Sequence, residues 1–237
     1  LGRVIGLHAG WRMSFLTMAI IAACTLTYLC FVFPKLEKTE KFTFKQLPEL
    51  FRNKNLMGLF AIAALVPTAQ YAAYSYIEPF MKFVAKMPDN MVTINLMILG
   101  CAGLLGSAIF ARTYEKHVKV FLTLSIAGIA VSHLLLYPAT VNEFAMIALF
   151  IFWGVCMTCF GMASQADLMA ATTVSAAPVA MSIYSGIFNF GIGSGTWVGG
   201  MICDHIDIAY IGYGAGILTI LGTIFSAWLA SHLHKKH

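Results

Sequence analysis

Gln70, Tyr74, Trp153 and Asn189 are the side chains best suited to holding a polar, uncharged solute, because each lies well inside a long apolar stretch. Counted at 1.5 Å per helical residue, each falls within roughly 10 Å of the middle of its stretch. Gln and Asn offer donor and acceptor together, which suits hydroxyl groups, and an aromatic ring can lie against the apolar face of a pyranose or furanose. Each also has a plainer reading. Gln70 and Asn189 could make interhelical hydrogen bonds of about 0.6 kcal/mol, and Trp153 could simply pack. Tyr71, Ser75 and Glu78 recur at i, i+4 and i+7, a second polar stripe beside the first. Glu78 sits on the order of 15 Å from the middle with Pro79 behind it to bend the helix, a place for a gate or a cap more than for proton coupling.

No Asp, Glu, Lys or Arg occupies the centre of any apolar stretch; the titratable exception is His133. It could relay protons or stay neutral, bonded to a neighbouring helix. All six cysteines lie in apolar stretches, which speaks against a disulfide framework. Cys156 and Cys159 have CxxC spacing but no second pair and no nearby His, so they read as small apolar packing residues. His232, His234 and His237 read as a solvated basic tail. No metal and no cofactor is expected. The chain has no nucleotide-binding loop, no catalytic triad pattern and no HExxH, which excludes an ATP-driven pump and an intramembrane protease and leaves no enzyme class.

These residues must be positioned by membrane helices. The chain has 237 residues, 59% hydrophobic and 11% charged, against about 25% charged in soluble domains. Charge-free stretches run over 13–34, 55–77, 90–111, 120–142, 144–166, 168–203 and 208–234, each at least 22 residues long. About 20 apolar residues cross the hydrocarbon core, so seven transmembrane helices are expected in an all-α, multi-pass protein. They fall at about 11–33, 56–81, 90–111, 119–139, 142–166, 179–203 and 208–231. No alternating ten-residue pattern suggests a barrel. Residues 1–33 form one unit, the polar segment 34–55 a linker, and residues 56–237 a six-helix bundle. Asp167, Asp204 and Asp207 read as residues that end spans.

Eleven of the fifteen basic residues (Lys35, Lys38, Lys41, Lys45, Arg52, Lys54, Arg112, Lys116, Lys119, Lys235 and Lys236) fall on one side of this arrangement. The positive-inside rule makes that side cytoplasmic, with the linker and the C-terminus, and it accounts for the +5 net charge without nucleic acid. Seven spans then put Leu1 outside, so an odd number of earlier spans is expected and the chain reads as the C-terminal part of a longer polypeptide. The expected partners are the bilayer, a small-molecule substrate and the missing N-terminal bundle. Glycines mark close helix approach: Gly191/Gly195 and Gly195/Gly199 form overlapping GxxxG pairs, and Gly100, Gly103, Gly106 and Ser107 share nearly one face. These faces could pack inside one bundle or slide against a second.

Gly10-Trp-Arg-Met-Ser-Phe15, after a glycine-rich helix end, resembles the start of the sixth helix of major facilitator exporters. Asn189 to Gly195 and on to Gly199-Gly200 is similar to the pattern of their eleventh helix. Ala73-Tyr-Ser-Tyr-Ile-Glu-Pro-Phe80 and Phe152-Trp-Gly154 resemble most the bacterial sugar efflux transporters, a resemblance that implies proton-linked export of arabinose-type sugars and thiogalactosides across the inner membrane. It implies that the seven helices are helices six to twelve of twelve, with the end of helix five and helix six in residues 1–33, and that the coupling acid lies in the absent N-terminal part. At the cytoplasmic loop between the eighth and ninth helices the chain departs from the family: Phe110 takes the acidic position, and only Arg112, Lys116 and Lys119 remain of the basic part. A multidrug exporter of the same superfamily is the alternative; from another class, a membrane fragment without transport of its own.

Overall fold

The structure is a computed structural model that describes residue 5, residues 10–32 and residues 47–233. Most of the linker expected at 34–55 and the tail histidines His234 and His237 lie outside these residues. The chain divides into two units, Leu1–Lys41 and Phe42–His237.

The first unit holds helix α1, Trp11–Val32. It starts after Gly10, whose φ of +85° lies in the left-handed region glycine tolerates. The hydroxyls of Thr17, Thr25 and Thr27 each donate to the carbonyl four residues back, at 2.8 Å. A helix with no water around it must satisfy its polar groups in this internal way.

The second unit has six long helices: α2, Lys54–Tyr74; α3, Asp89–Thr113; α4, Val118–Leu134; α5, Glu143–Ala170; α6, Ala177–His205; and α7, Ile211–Leu233. The described residues contain no strand. α2 begins where the Asn53 side chain accepts from the N–H groups of Asn55 and Leu56, an N-cap, while its Nδ2 donates to the Ala171 carbonyl beyond α5. α2 breaks at Ser75–Tyr76 and resumes as Ile77–Pro79, followed by a π-helical turn, Phe80–Val84. Pro79 explains the break: it has no N–H for the Ser75 carbonyl, and its ring crowds that carbonyl.

Among the described residues, five helical segments are long and apolar enough to cross a membrane: Trp11–Val32, Lys54–Val84, Asp89–Thr113, Glu143–Ala170 and Ile208–His232. The other two stretches expected to span are helical but differ. α4 stops at Leu134, not near 139, and at 17 residues covers about 25 Å; a 3₁₀ turn, Pro138–Val141, follows it. α6 has 29 residues, but six glycines, several serines and Asn189 dilute its apolar character.

Packing within the unit has an exchange symmetry. α2 lies along α6 as α5 lies along α3, α2 meets α7 as α5 meets α4, and α4 and α7 pack on each other. Swapping α2 with α5, α3 with α6 and α4 with α7 reproduces the pattern, so the unit is two copies of a three-helix arrangement. The α2–α6 seam is built on small residues. A Cβ at Gly191, Gly195 or Gly199 would run into the α2 backbone at Ala64, Thr68 or Ala72. On the matching seam, a Cβ at Gly154 would strike the Leu99 carbonyl and one at Gly106 the Val155 carbonyl. Gly100, Gly186 and Gly193 face open space. The core between the helices is apolar and includes Ile62, Val66, Phe80, Ile126, Ile129, Phe150 and Leu168, all fully buried.

Candidate substrate site

Three of the four expected contacts meet. Gln70 and Tyr74 are one turn apart on α2 and face Trp153 and Met157, one turn apart on α5. The Trp153 indole N–H donates to Gln70 Oε1 at 2.9 Å. Gln70 Nε2 donates to the Met157 sulfur at 3.3 Å. The Tyr74 ring stands edge-on to Trp153 with centroids 6.3 Å apart, and Tyr71 stands edge-on to Tyr74 at 5.5 Å. Trp153 is fully buried and Gln70 only 4% exposed, whereas Tyr71 and Tyr74 are half-buried. The Tyr74 hydroxyl has no hydrogen-bond partner among the described residues.

Behind Trp153 lies His133, fully buried, its ring edge-on to the indole at 5.2 Å. Its Nδ1 is 2.9 Å from the Thr219 hydroxyl, which donates its own proton to the Ala215 carbonyl at 2.7 Å. The other ring nitrogen, Nε2, is buried with no hydrogen-bond partner among the described residues. A polar chain thus runs from α7 through α4 and α5 to α2: Thr219, His133, Trp153, Gln70.

Asn189 stands apart from this cluster. It is exposed, and its Nδ2 donates to the Ser185 carbonyl of its own helix at 2.8 Å. It shares its face of α6 with exposed Ser182 and Ser185, while Phe190, Trp197 and Met201 are exposed on a different face. In the second stripe, Ser75 Oγ is 2.8 Å from Thr196 Oγ1 on α6, and the Tyr76 hydroxyl donates to the Thr196 carbonyl at 3.2 Å. Glu78 pairs with Lys82 at 3.4 Å, and Lys82 with Asp89 at 2.9 Å.

At the other end of the unit, Asp167 does more than end a helix. α5 continues to Ala170, and the Tyr114 hydroxyl donates to Asp167 Oδ1 at 2.5 Å. Tyr114 stacks on Phe110 at 4.6 Å, and both stand edge-on to Phe121. Phe110, where the family pattern has an acid, thus belongs to an aromatic cluster. Burial, and then the Asp167 carboxylate, push the Tyr114 phenol above its ordinary value. Cys156 and Cys159 are buried free thiols, the latter donating to the Gly106 carbonyl at 3.4 Å. No cluster of three metal-ligating side chains occurs among the described residues.

The model of the Major Facilitator Superfamily matches residues 1–173. The chain belongs to this superfamily. The match covers α1 to α5 and so includes Gln70, Tyr74 and Trp153. Major Facilitator Superfamily members are transporters, and the chain is accordingly a multi-pass membrane transport protein. Binding for transport asks of a site only that it hold and release a solute, which uncharged amides, hydroxyls and rings can do. Sequence reasoning missed two partners in this cluster, Met157 and Thr219. The signal for Met157 was present, since it follows Trp153 at the spacing by which Tyr74 follows Gln70.

Proposed function

We propose that this protein is part of a proton-coupled exporter of sugars that works by alternating access, with Gln70, Tyr74, Trp153 and Asn189 in the substrate site and Tyr71, Ser75 and Glu78 beside it as a gate. The observation that carries the reading is the Gln70–Trp153–Tyr74 cluster: amide, indole and phenol brought together inside a helical unit with no charged group among them. Such a set matches the hydroxyls and apolar face of a neutral sugar and offers a cation no counter-charge. The polar exposed face of α6 around Asn189 fits a helix that borders a water-filled path, since polar side chains avoid lipid.

In this reading α4 and α6 also cross the membrane, giving seven spans, and the second unit is the C-terminal bundle with α1 belonging to the bundle before it. Access alternates as one bundle rocks against the other. The coupling acid belongs to the other bundle. The membrane is a bacterial inner membrane, and the C-terminus faces the cytoplasm. Efflux of radiolabelled arabinose from loaded cells, with and without a protonophore, tests the function; export of ethidium in its place would make the protein a drug exporter. Alkaline phosphatase fused after His237 tests the topology, and high phosphatase activity would overturn it. Residues 1–237 expressed alone are expected to insert without exporting arabinose, because one bundle cannot alternate; efflux above an empty vector would refute the two-bundle scheme.

A further inference from the structure

The amide of Gln70 is held in one orientation. The indole N–H of Trp153 can only donate, so the amide oxygen must face it, and the NH₂ group must face the other way. There it meets the Met157 sulfur at 3.3 Å. A thioether is a weak acceptor, and it takes one of two N–H groups; the second has no acceptor among the described residues. Gln70 is 4% exposed, so water does not readily make up the difference. The site therefore holds a buried donor whose hydrogen-bonding capacity is underused, beside the half-buried Tyr74 ring, and covered by a side chain with three rotatable bonds.

We propose that Met157 is a specificity-determining residue of this site: a displaceable cover on the Gln70 amide, whose sulfur occupies the place that an acceptor oxygen of the substrate takes during transport. The proposal rests on the substrate-site reading above and deepens it. With its oxygen engaged by Trp153, Gln70 addresses the substrate as a donor, so the solute selected at this point is one that brings an acceptor oxygen, such as a hydroxyl or ring oxygen of a sugar. A solute whose polar group is an ammonium has nothing to accept with. Met157 sets how readily the exchange happens, since the substrate oxygen must compete with the sulfur for the same N–H.

Arabinose efflux by the intact transporter, measured against internal concentration and normalised to membrane-inserted protein, tests this. Met157→Leu keeps the volume and removes the acceptor; it is expected to lower the half-saturation concentration about two- to five-fold, the scale of one weak hydrogen bond. Met157→Gln puts a stronger acceptor in its place and is expected to raise it by about the same factor. In a Gln70→Leu background both shifts should vanish, because the group they act through is gone. Shifts of the same sign from the two variants, no shift, or shifts that persist without Gln70 overturn the proposal. If Met157 variants have no effect while Gln70→Leu still weakens arabinose recognition, the substrate site stands and only the role of Met157 falls. If Gln70→Leu leaves half-saturation unchanged, the site reading falls, and Met157 with it.

Discussion

α2 presents two different contacts to its neighbours. Toward α6 it offers bare backbone to Gly191, Gly195 and Gly199, with short hydroxyl contacts such as Ser75–Thr196 along the edge. Toward α5 it offers the large side chains of Gln70 and Tyr74 to Trp153 and Met157. The first contact leaves no room for any added atom and holds the helices in register. The second keeps spare hydrogen-bonding capacity and rotatable side chains. A transporter needs both: a seam that moves as one body and a surface that can re-pair with a passing solute.

The sharpest way to break this contrast is to add atoms to the seam. Gly195→Val should cost the most of any change considered, because its Cβ would run into the Thr68 backbone, which cannot step aside. Overpacking costs about 1–3 kcal/mol where neighbours can yield, and more where they cannot. A large drop in detergent-resistant, membrane-inserted protein is expected, whereas Gly193→Ala, facing open space, should match wild type. Equal loss from both would mean that the seam is no tighter than the rest of α6.

Trp153→Phe comes next. It keeps most of the packing but removes the N–H from a buried amide oxygen, at a cost of about 1–3 kcal/mol. A lower midpoint of thermal unfolding in detergent would report it. Tyr74→Ala tests the adaptable side of α2. It should weaken substrate recognition by about 1–2 kcal/mol, or roughly 5–30-fold in half-saturation concentration, with inserted protein little changed. Loss of protein at unchanged half-saturation would assign Tyr74 to packing and favour the Tyr71–Ser75 stripe as the contact. Ala73→Val, the neighbouring position about 100° round the helix, is fully buried and should act through folding instead.

The smallest effect is expected outside both contacts. Tyr114→Phe removes the hydrogen bond to Asp167 and should lower stability by about 0.5–1.5 kcal/mol. Its pH dependence has a definite sign. The neutral phenol is the donor, and its pKa in the folded protein is raised, so the stabilisation is fully present below the ordinary tyrosine value near 10 and is lost only as pH rises through the raised one. The gap between variant and wild type should therefore stay constant from pH 6 to 9, checked by unfolding midpoints; a gap that closes within that range would contradict the arrangement.

Helix positions were legible because charge-free runs of at least 22 residues leave the chain few alternatives. The meeting of Gln70, Tyr74 and Trp153 was partly legible, since depth along each helix follows from counting. The direction each side chain takes depends on which helices become neighbours, which residue spacing does not state. Asn189 shows this: its depth was readable, but α6 turns Gly191, Gly195 and Gly199 toward α2 and carries Asn189 elsewhere. The early end of α4 was hidden for a related reason. Leu135, Leu136 and Tyr137 are as apolar as the helix before them, and the chain nonetheless turns there, ahead of Pro138. Tyr114–Asp167 joins residues 53 positions apart and had no local signal at all.

The exchange symmetry of the six helices bears on how the polar chain through the unit could have arisen. If the unit descends from a duplicated three-helix segment, α2 and α5 began as the same helix, as did α4 and α7, and the members of each pair are in contact. Identical helices in contact bring like residues face to face. Twins make poor partners when each can only donate, as two indole N–H groups would. The contacts now found between these helices join unlike residues: Trp153 donates to Gln70, and His133 Nδ1 lies 2.9 Å from the Thr219 hydroxyl. Divergence at such positions is the simplest way to turn a clash between equals into a bond, so the unit should depart most from internal repetition along the line where its chemistry is concentrated.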